Sequence, residues 1–212
     1  MTRPYKILLK TNSKNFIVTI AIGTKVRRDW LKYSFPSWKE YCLKNNLGLI
    51  VFTKYIVDKK NFYWKKATWQ KMLLGDCLLK YQKNAKNICY LDTDILINPI
   101  SPNIFKYNKS NKISLVSEIF NLPFDLNIVR KKIAFFRNKY YSKKYPLDSA
   151  MFANLKQTYS YSKLPTQKDY LSSGLFIFNV KKHSDFFEKI FFKYKKNYKS
   201  LTGGDQVHFS YF

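Results

Sequence analysis

Short apolar segments alternate with longer amphipathic stretches over the first 91 residues, and this alternation restricts the possible folds more than any other feature. The apolar segments are rich in β-branched and aromatic residues and have the length of buried strands: 16–22, 49–52 and 88–91. Between them, residues 29–45 and 67–81 repeat apolar side chains at helical spacing. Such an alternation predicts a parallel sheet whose strands are joined by crossover helices.

The second half of the chain is less regular. Residues 113–116 and 175–180 have strand character, whereas 185–198 and the end of 202–212 have helical character. Between 118 and 169, tyrosine, phenylalanine, lysine and asparagine dominate, and apolar periodicity is weak. We therefore expect a helical, aromatic and basic insertion there.

Composition narrows the class of protein. A hydrophobic content of 46% with only six glycines predicts a packed core rather than a disordered chain. Cys42, Cys77 and Cys89 form no CxxC pair, which disfavours a disulfide framework or zinc site and predicts a reducing compartment. Neither a signal peptide nor an apolar run of about 20 residues is found. We expect a cytoplasmic protein, with peripheral membrane contact left open.

The net charge of +26 admits several partners. Basic chains bind nucleic acid, anionic membranes or phosphorylated substrates. The lysines are scattered in short pairs rather than gathered in a tail, and a codon bias towards Lys, Asn, Ile, Tyr and Phe is an equally good explanation of the excess. An anionic lipid surface or a charged glycan is the docking partner that this charge suggests.

Two aspartates follow the third predicted strand directly. Because alternate side chains of an extended chain share a face, Asp92 and Asp94 are expected to converge while Thr93 points away. Two such carboxylates repel each other unless a cation lies between them, and Mn²⁺ and Mg²⁺ prefer oxygen ligands. A cation at this edge of an α/β sheet could hold a diphosphate. The alternative is a strand that ends in a turn containing both aspartates.

Three segments resemble one enzyme family. They are WQKMLLGDCLLKYQKNAKNICYLDTDILI (69–97), YLSSGLFIFN (170–179) and Gly204-Asp205-Gln206. In this order they resemble the "YLDxDI", "yfNsGvmlfN" and "xDQ" stretches of GT-A glycosyltransferases, closest to the family-8-like retaining enzymes and their viral and bacterial relatives. The resemblance implies a GT-A-like (Rossmann-like) α/β fold with a mostly parallel central sheet flanked by helices. With the first strand it covers most of the chain.

The same resemblance implies a function. It is the metal-dependent transfer of a sugar from a nucleotide diphosphate sugar, expected to be a UDP-sugar, to a glycan or another hydroxyl acceptor, with retention. Mn²⁺ or Mg²⁺ is the implied cofactor. A single domain over residues 1–212 would then comprise a nucleotide-binding half (1–117) and an acceptor-side half (118–212). Aromatic side chains of the second half could stack on sugar rings: Tyr140, Tyr141, Tyr145, Tyr159 and Tyr161.

Residues of the first half match the donor-binding positions of the family. Asp92 and Asp94 match ligands of the cation and diphosphate, with Thr93 between them. Lys71 matches a helix lysine near the donor phosphates, although a solvated lysine is the commoner case. The end of the first strand matches the backbone that meets the nucleotide base: Ala21, Ile22 and Gly23.

Residues of the second half match sugar-side positions. Ser173 and Gly174 match the loop beside the donor sugar, although a turn at a strand start is the rival explanation. Asp205 and Gln206 match the catalytic residues at the anomeric centre, although aspartate is also common in a first helical turn.

Two departures from the family pattern affect these assignments. Ser172 occupies the position at which the family has asparagine, which weakens the assignment of a detailed contact with the donor sugar. The family's histidine metal ligand lies well downstream of the "DQ" stretch, and Phe212 is six residues beyond Gln206. His208 is the candidate replacement, although a lone histidine in an aromatic helix is more often structural. If His208 is not a ligand, water and phosphate complete the coordination shell of the cation, or the sequence is one domain of a longer polypeptide.

Three other functions compete with that of a glycosyltransferase. A sugar-nucleotide pyrophosphorylase needs a glycine-rich loop after the first strand, and IGTKVRRDW has one glycine. A nucleic-acid-binding protein fits the charge and the aromatic content, but it offers no role for two adjacent carboxylates that repel phosphates, so nucleic acid is disfavoured as a partner. An inactive transferase-like module is the third alternative.

Overall fold

The computed structural model describes residues 3–108, 112–121, 153–195 and 204–212, together with positions 123, 125, 128, 131, 132 and 135. Within this part of the chain six strands form one open sheet in the order β1-β3-β2-β4-β6-β5. Their bounds are Tyr5–Leu9 (β1), Asn15–Ile20 (β2), Gly48–Phe52 (β3), Asn87–Leu91 (β4), Ser114–Ser117 (β5) and Leu171–Asn179 (β6). The α/β class predicted from the sequence is confirmed.

The sheet is mixed, and the prediction of a mostly parallel sheet is wrong. Strand β2 pairs in parallel with β3 and β4, whereas β1 is antiparallel to β3 and β6 is antiparallel to β4. The parallel centre consists of the three apolar runs recognised in the sequence. Strand β1 was not predicted, and residues 10–14 join it to β2. Five residues are too few for a parallel crossover, so β1 runs opposite to β2.

Two of the predicted helical stretches, 29–45 and 67–81, are divided into shorter helices, and the helix predicted over 185–198 begins earlier, at Val180. The bounds of the described helices are Thr24–Tyr33 (α1), Phe35–Lys44 (α2), Ala67–Gln70 (α3), Leu74–Tyr81 (α4), Leu155–Tyr161 (α5), Val180–Lys193 (α6) and Gln206–Tyr211 (α7), with 3₁₀ turns at Lys71–Leu73 and Ile104–Tyr107. The single helix predicted over 29–45 is therefore two, because Pro36 lies in the first turn of α2 and cannot continue α1. None of these helices is long and apolar enough to cross a membrane.

The chain divides into two compact units. The first comprises Met1–Leu115 and Gly174–Tyr198, and the second comprises Val116–Ser173 and Lys199–Phe212. Helix α5 belongs to the predicted aromatic and basic insertion. Most of that insertion lies outside the described residues, including Tyr140, Tyr141 and Tyr145.

The core of the first unit lies on the parallel strands. Every residue of β3 is buried, as are Phe16 to Ile20 of β2. The three cysteines are buried free thiols, and burial raises the pKa of Cys42 and of Cys77 to about 12. They therefore serve as core side chains rather than as nucleophiles.

Close packing between α4 and α6 depends on Gly75. A Cβ atom at this position would overlap the Ser184 hydroxyl and lie 3.0 Å from the ring of Phe178. Gly75→Ala is therefore expected to lower the free energy of unfolding by about 1–3 kcal/mol, because overpacking outweighs the gain in helix propensity. Urea unfolding measures this loss.

The double variant Gly75→Ala/Ser184→Ala is the matched test of that overlap. Removing the Ser184 hydroxyl takes away the closest atom, so part of the lost stability should return. A single variant as stable as the wild type, or a double variant with no recovery, would contradict the packing argument.

Candidate functional site

Three parallel strands end together at one edge of the sheet. The Ala21 backbone N–H donates to the Phe52 carbonyl over 2.8 Å, which ties the end of β2 to the end of β3. The Thr19 hydroxyl donates to the Leu91 carbonyl over 2.7 Å, which ties β2 to the end of β4. This is the edge at which open α/β sheets bind ligands.

Asp92, Thr93 and Asp94 form a turn immediately beyond β4. The Ile95 backbone N–H donates to the Asp92 carbonyl over 3.2 Å, which closes the turn. All three residues line one cavity of about 250 Å³ at the ends of β2 and β4. The extended conformation predicted for this segment is wrong, because the chain turns at Thr93 and Asp94. The strand stops at Leu91, and the turn places Asp92 and Asp94 beside the same cavity.

Side chains at the junction of α1 and α2 hold this turn in place. The Ser34 hydroxyl donates to the Thr93 carbonyl over 2.8 Å. The Trp38 indole N–H donates to the Ile95 carbonyl over 2.8 Å, and Trp38 itself is fully buried. The turn is thus fixed by the core of the unit as well as by its own backbone.

Asp92 is oriented by two neighbours on the same oxygen. The Tyr90 hydroxyl donates to Asp92 Oδ1 over 2.6 Å, and Lys71 Nζ lies 4.0 Å from that oxygen. The Lys71 side chain is 1% exposed and that of Asp92 is 42% exposed. Lys71 is therefore not the solvated lysine that was the commoner expectation. A buried ammonium needs partners, and the Asp92 carboxylate and the Tyr90 ring, 5.1 Å away, provide two.

Asp94 is exposed and borders a second cavity. This cavity of about 370 Å³ is also lined by Thr93, Lys25 and Asp29. Val26 lines both cavities, so the start of α1 lies between them.

A third cavity is strongly cationic. It has a volume of about 690 Å³ at the ends of β2 and β3, and Ala21, Gly23, Arg27, Arg28 and Lys32 are among its lining residues. Gly23 precedes α1 with φ of +98°, a conformation that favours glycine. Sequence reasoning missed both arginines, although their position one turn after the strand-end glycine was the available signal.

The predicted nucleotide-binding backbone is divided between two of these cavities. Ala21 and Gly23 line the cationic cavity, whereas Ile22 lines the cavity that contains the aspartates. Since the three residues are consecutive, the two cavities adjoin each other along the end of β2.

Two of the motif segments lie on adjacent strands. Strands β4 and β6 pair with Leu91 opposite Leu175. The Asp92 backbone N–H donates to the Gly174 carbonyl over 2.9 Å, so the predicted Gly174 lies directly beside the turn.

The remaining predicted residues belong to the second unit. Ser173, Asp205 and His208 are buried there. The backbone N–H of His208 donates to the Asp205 carbonyl over 3.0 Å at the start of α7. The Gln206 amide donates to Glu118 Oε1 over 2.6 Å, and Glu118 is a partner that sequence reasoning did not identify. The catalytic and metal-binding roles of these residues stay predictions.

The donor set at the turn suits a hard cation that arrives with a substrate. Asp92 and Asp94 offer carboxylate oxygens, and Mg²⁺ is commonly held by one or two carboxylates together with substrate phosphates and water. No group of three or more His, Cys, Asp or Glu side chains that could hold a metal occurs among the described residues. The two carboxylates correspond to the protein part of such a shared donor set.

No family model and no curated protein matches the chain. The resemblance drawn from the three sequence segments therefore stays a prediction. The geometry at the carboxyl edge of the sheet is the basis for a functional assignment.

Proposed function

We propose that this protein is a metal-dependent glycosyltransferase that uses a nucleotide diphosphate sugar, specifically a UDP-sugar. The observation that carries the proposal is that Asp92 and Asp94 line the same cavity at the carboxyl edge of β2 and β4. The acceptor is a hydroxyl of a glycan or glycoconjugate. Retention at the anomeric carbon is proposed from the sequence resemblance alone.

The charge arrangement favours a diphosphate with its cation. Two carboxylates alone repel a diphosphate, whereas Lys71 and the nearby arginines attract it. Mn²⁺ or Mg²⁺ resolves this conflict, and when bound it neutralises the charge that develops on the departing diphosphate. Tyr90 and Lys71 keep Asp92 Oδ1 oriented, so the other oxygen of Asp92 and the Asp94 carboxylate are the cation ligands.

The adjoining cationic cavity is the proposed place of the nucleoside. Ala21 and Gly23 line this cavity, and Ile22 lines the adjoining cavity that contains the aspartates. Glycine at position 23 lets a ligand approach the backbone closely. Arg27 and Arg28 add positive charge there.

The sugar-side roles follow the resemblance. We propose that Ser173 and Gly174 flank the donor sugar and that Asp205 and Gln206 act at the anomeric carbon. The three buried free thiols suit a reducing compartment, so we place the protein in the cytoplasm.

Isothermal titration with uridine diphosphate, with and without Mn²⁺, tests the donor site. Binding that requires Mn²⁺ is expected, followed by release of uridine diphosphate from a UDP-sugar. Binding without turnover would indicate an inactive transferase-like module. Absence of nucleotide binding combined with salt-dependent binding to single-stranded nucleic acid would overturn the proposal.

Tyr90→Phe provides a finer test of the same site. Loss of the hydroxyl removes the hydrogen bond that orients Asp92, and such supporting contacts are worth about tenfold or more in metal affinity. The Mn²⁺ concentration that gives half-maximal nucleotide binding should therefore rise about tenfold. Tyr161→Phe, an exposed tyrosine of α5, is the matched control. Equal responses of the two variants would show that Tyr90 does not orient the ligand.

A further inference from the structure

Residues 95–107, which follow the aspartate turn, present large apolar side chains to solvent. Leu96, Ile100 and Tyr107 are 68%, 79% and 69% exposed. Other apolar residues of the same segment pack against the core: Ile95, Ile97, Ile104 and Phe105. The segment therefore has two groups of apolar side chains. One group anchors it to the core, and the other is exposed to solvent. Clustered exposed apolar residues commonly mark an interaction surface.

Two of the outward side chains belong to residues that share one cavity. Leu96 and Tyr107 both line an apolar cavity of about 310 Å³, and Ile100 lies between them in the chain. The exposed apolar surface thus continues inward between the segment and the sheet, where the buried Leu91 also lines the cavity.

Hydrogen bonds to α2 hold the segment in a defined conformation. The Tyr41 hydroxyl donates to the Pro102 carbonyl over 2.9 Å and accepts from the Ile104 backbone N–H over 2.8 Å. Lys44 Nζ donates to the Pro99 carbonyl over 3.1 Å. The apolar side chains are therefore presented by a backbone that is tied down at several points.

The charge of this surface selects the partner. Residues 95–107 contain no aspartate or glutamate and include Lys106, while Asp94 and Asp29 line a cavity with Leu96 at one end of the segment. Lys44 lies directly against the segment, and the whole chain carries a net charge of +26. Apolar and aromatic side chains bordered by lysines match the interface of an anionic bilayer, where the apolar groups enter the acyl boundary and the ammonium groups meet the headgroups.

We propose that the 95–107 segment docks the protein on an anionic lipid bilayer. Leu96, Ile100 and Tyr107 enter the interfacial layer, and Lys44 and Lys106 face the anionic headgroups. Docking of this kind needs neither nucleotide nor cation, so it stands independently of the proposed transferase activity.

Docking would bring the candidate site to the membrane surface. Leu96 lines the cavity of about 370 Å³ together with Thr93 and Asp94. One consequence rests on the proposed function as well: the hydroxyl acceptor is carried by a lipid in the bilayer on which the protein docks.

Vesicle co-sedimentation without nucleotide or Mn²⁺ tests the docking surface. We expect binding to phosphatidylcholine vesicles that contain about 30% phosphatidylglycerol, weaker binding to pure phosphatidylcholine, and weakening in about 0.5 M NaCl. The triple variant Leu96→Ser/Ile100→Ser/Tyr107→Ser should bind at least about tenfold more weakly. Lys44→Gln/Lys106→Gln should bind more weakly and lose part of the salt dependence.

A second triple variant controls for the loss of exposed apolar area. Phe62→Ser/Phe120→Ser/Tyr161→Ser removes three comparably exposed aromatic residues outside the segment and should bind vesicles as the wild type does. Thermal unfolding of each variant checks that the fold is retained.

Three results would overturn the proposal. They are no vesicle binding by the wild type, equal losses in the two triple variants, and concentration-dependent self-association that only the 95–107 variant abolishes while vesicle binding persists. Mn²⁺-dependent titration of uridine diphosphate is measured separately on each variant. Failure of docking and failure of the proposed function are thereby distinguished.

Discussion

Asp94→Asn is expected to abolish Mn²⁺-dependent binding of uridine diphosphate while leaving the fold intact. Asparagine keeps the shape of the side chain and removes the charge that a hard cation requires. A loss of about 100-fold or more in nucleotide affinity should follow. Because Asp94 is exposed in a turn, the free energy of unfolding should change by no more than about 0.5 kcal/mol.

Asp92→Asn should show the same loss of nucleotide binding with an additional cost in stability. The change removes one counter-charge from Lys71, whose side chain is buried. Since the Asp92 side chain is itself partly exposed, we expect that cost to be about 1 kcal/mol. Thermal unfolding should therefore distinguish the two variants. Titration with uridine diphosphate should show the same loss of affinity for both.

Asp76→Asn is the matched control for both variants. Asp76 lies on α4, pairs with Lys80 over 2.8 Å and lines neither of the two cavities that border the aspartate turn. Its loss should leave nucleotide affinity within about twofold of the wild type. Mn²⁺-dependent binding that survives in Asp94→Asn would refute the assignment of the cation ligands.

Trp38→Ala is expected to cause the largest loss of stability. The indole is fully buried and packs edge-on against Trp30 at a ring distance of 5.6 Å. Truncating a buried tryptophan costs about 3–5 kcal/mol, which approaches the whole stability of many domains. Urea unfolding should show this loss, and a cost below about 1 kcal/mol would contradict the packing described here.

Trp38→Phe separates the structural role of Trp38 from its effect on the site. Phenylalanine keeps most of the volume but cannot donate to the Ile95 carbonyl, so the end of the aspartate turn loses one of its supports. The folded variant should bind uridine diphosphate and Mn²⁺ several-fold more weakly, by about the value of one hydrogen bond. Phe187→Leu, a buried change on α6, controls for a general loss of stability and should leave nucleotide affinity unchanged.

Only part of the candidate site could be predicted from local sequence patterns. The sequence placed Asp92 and Asp94 at the end of a buried strand, which is confirmed, because a run of apolar residues before two carboxylates is a local signal. It did not indicate that Tyr90 and Lys71 share Asp92 Oδ1, nor that Arg27 and Arg28 line a cavity. Those facts depend on which segments meet in space, and a chain with many lysines offers no way to distinguish the one that becomes buried.

The sequence by itself determined the parallel centre of the sheet, the helical stretches between its strands and the position of the aspartates. Strand length, apolar periodicity and proline or glycine breaks act within a few residues, so they can be read along the chain. The tertiary structure alone decided the strand directions at the sheet edges and the turn that contains the two aspartates. It also decided the pairing that brings Gly174 beside Asp92, residues 82 positions apart. Such pairings depend on the burial and hydrogen bonding of distant segments, which no local pattern contains.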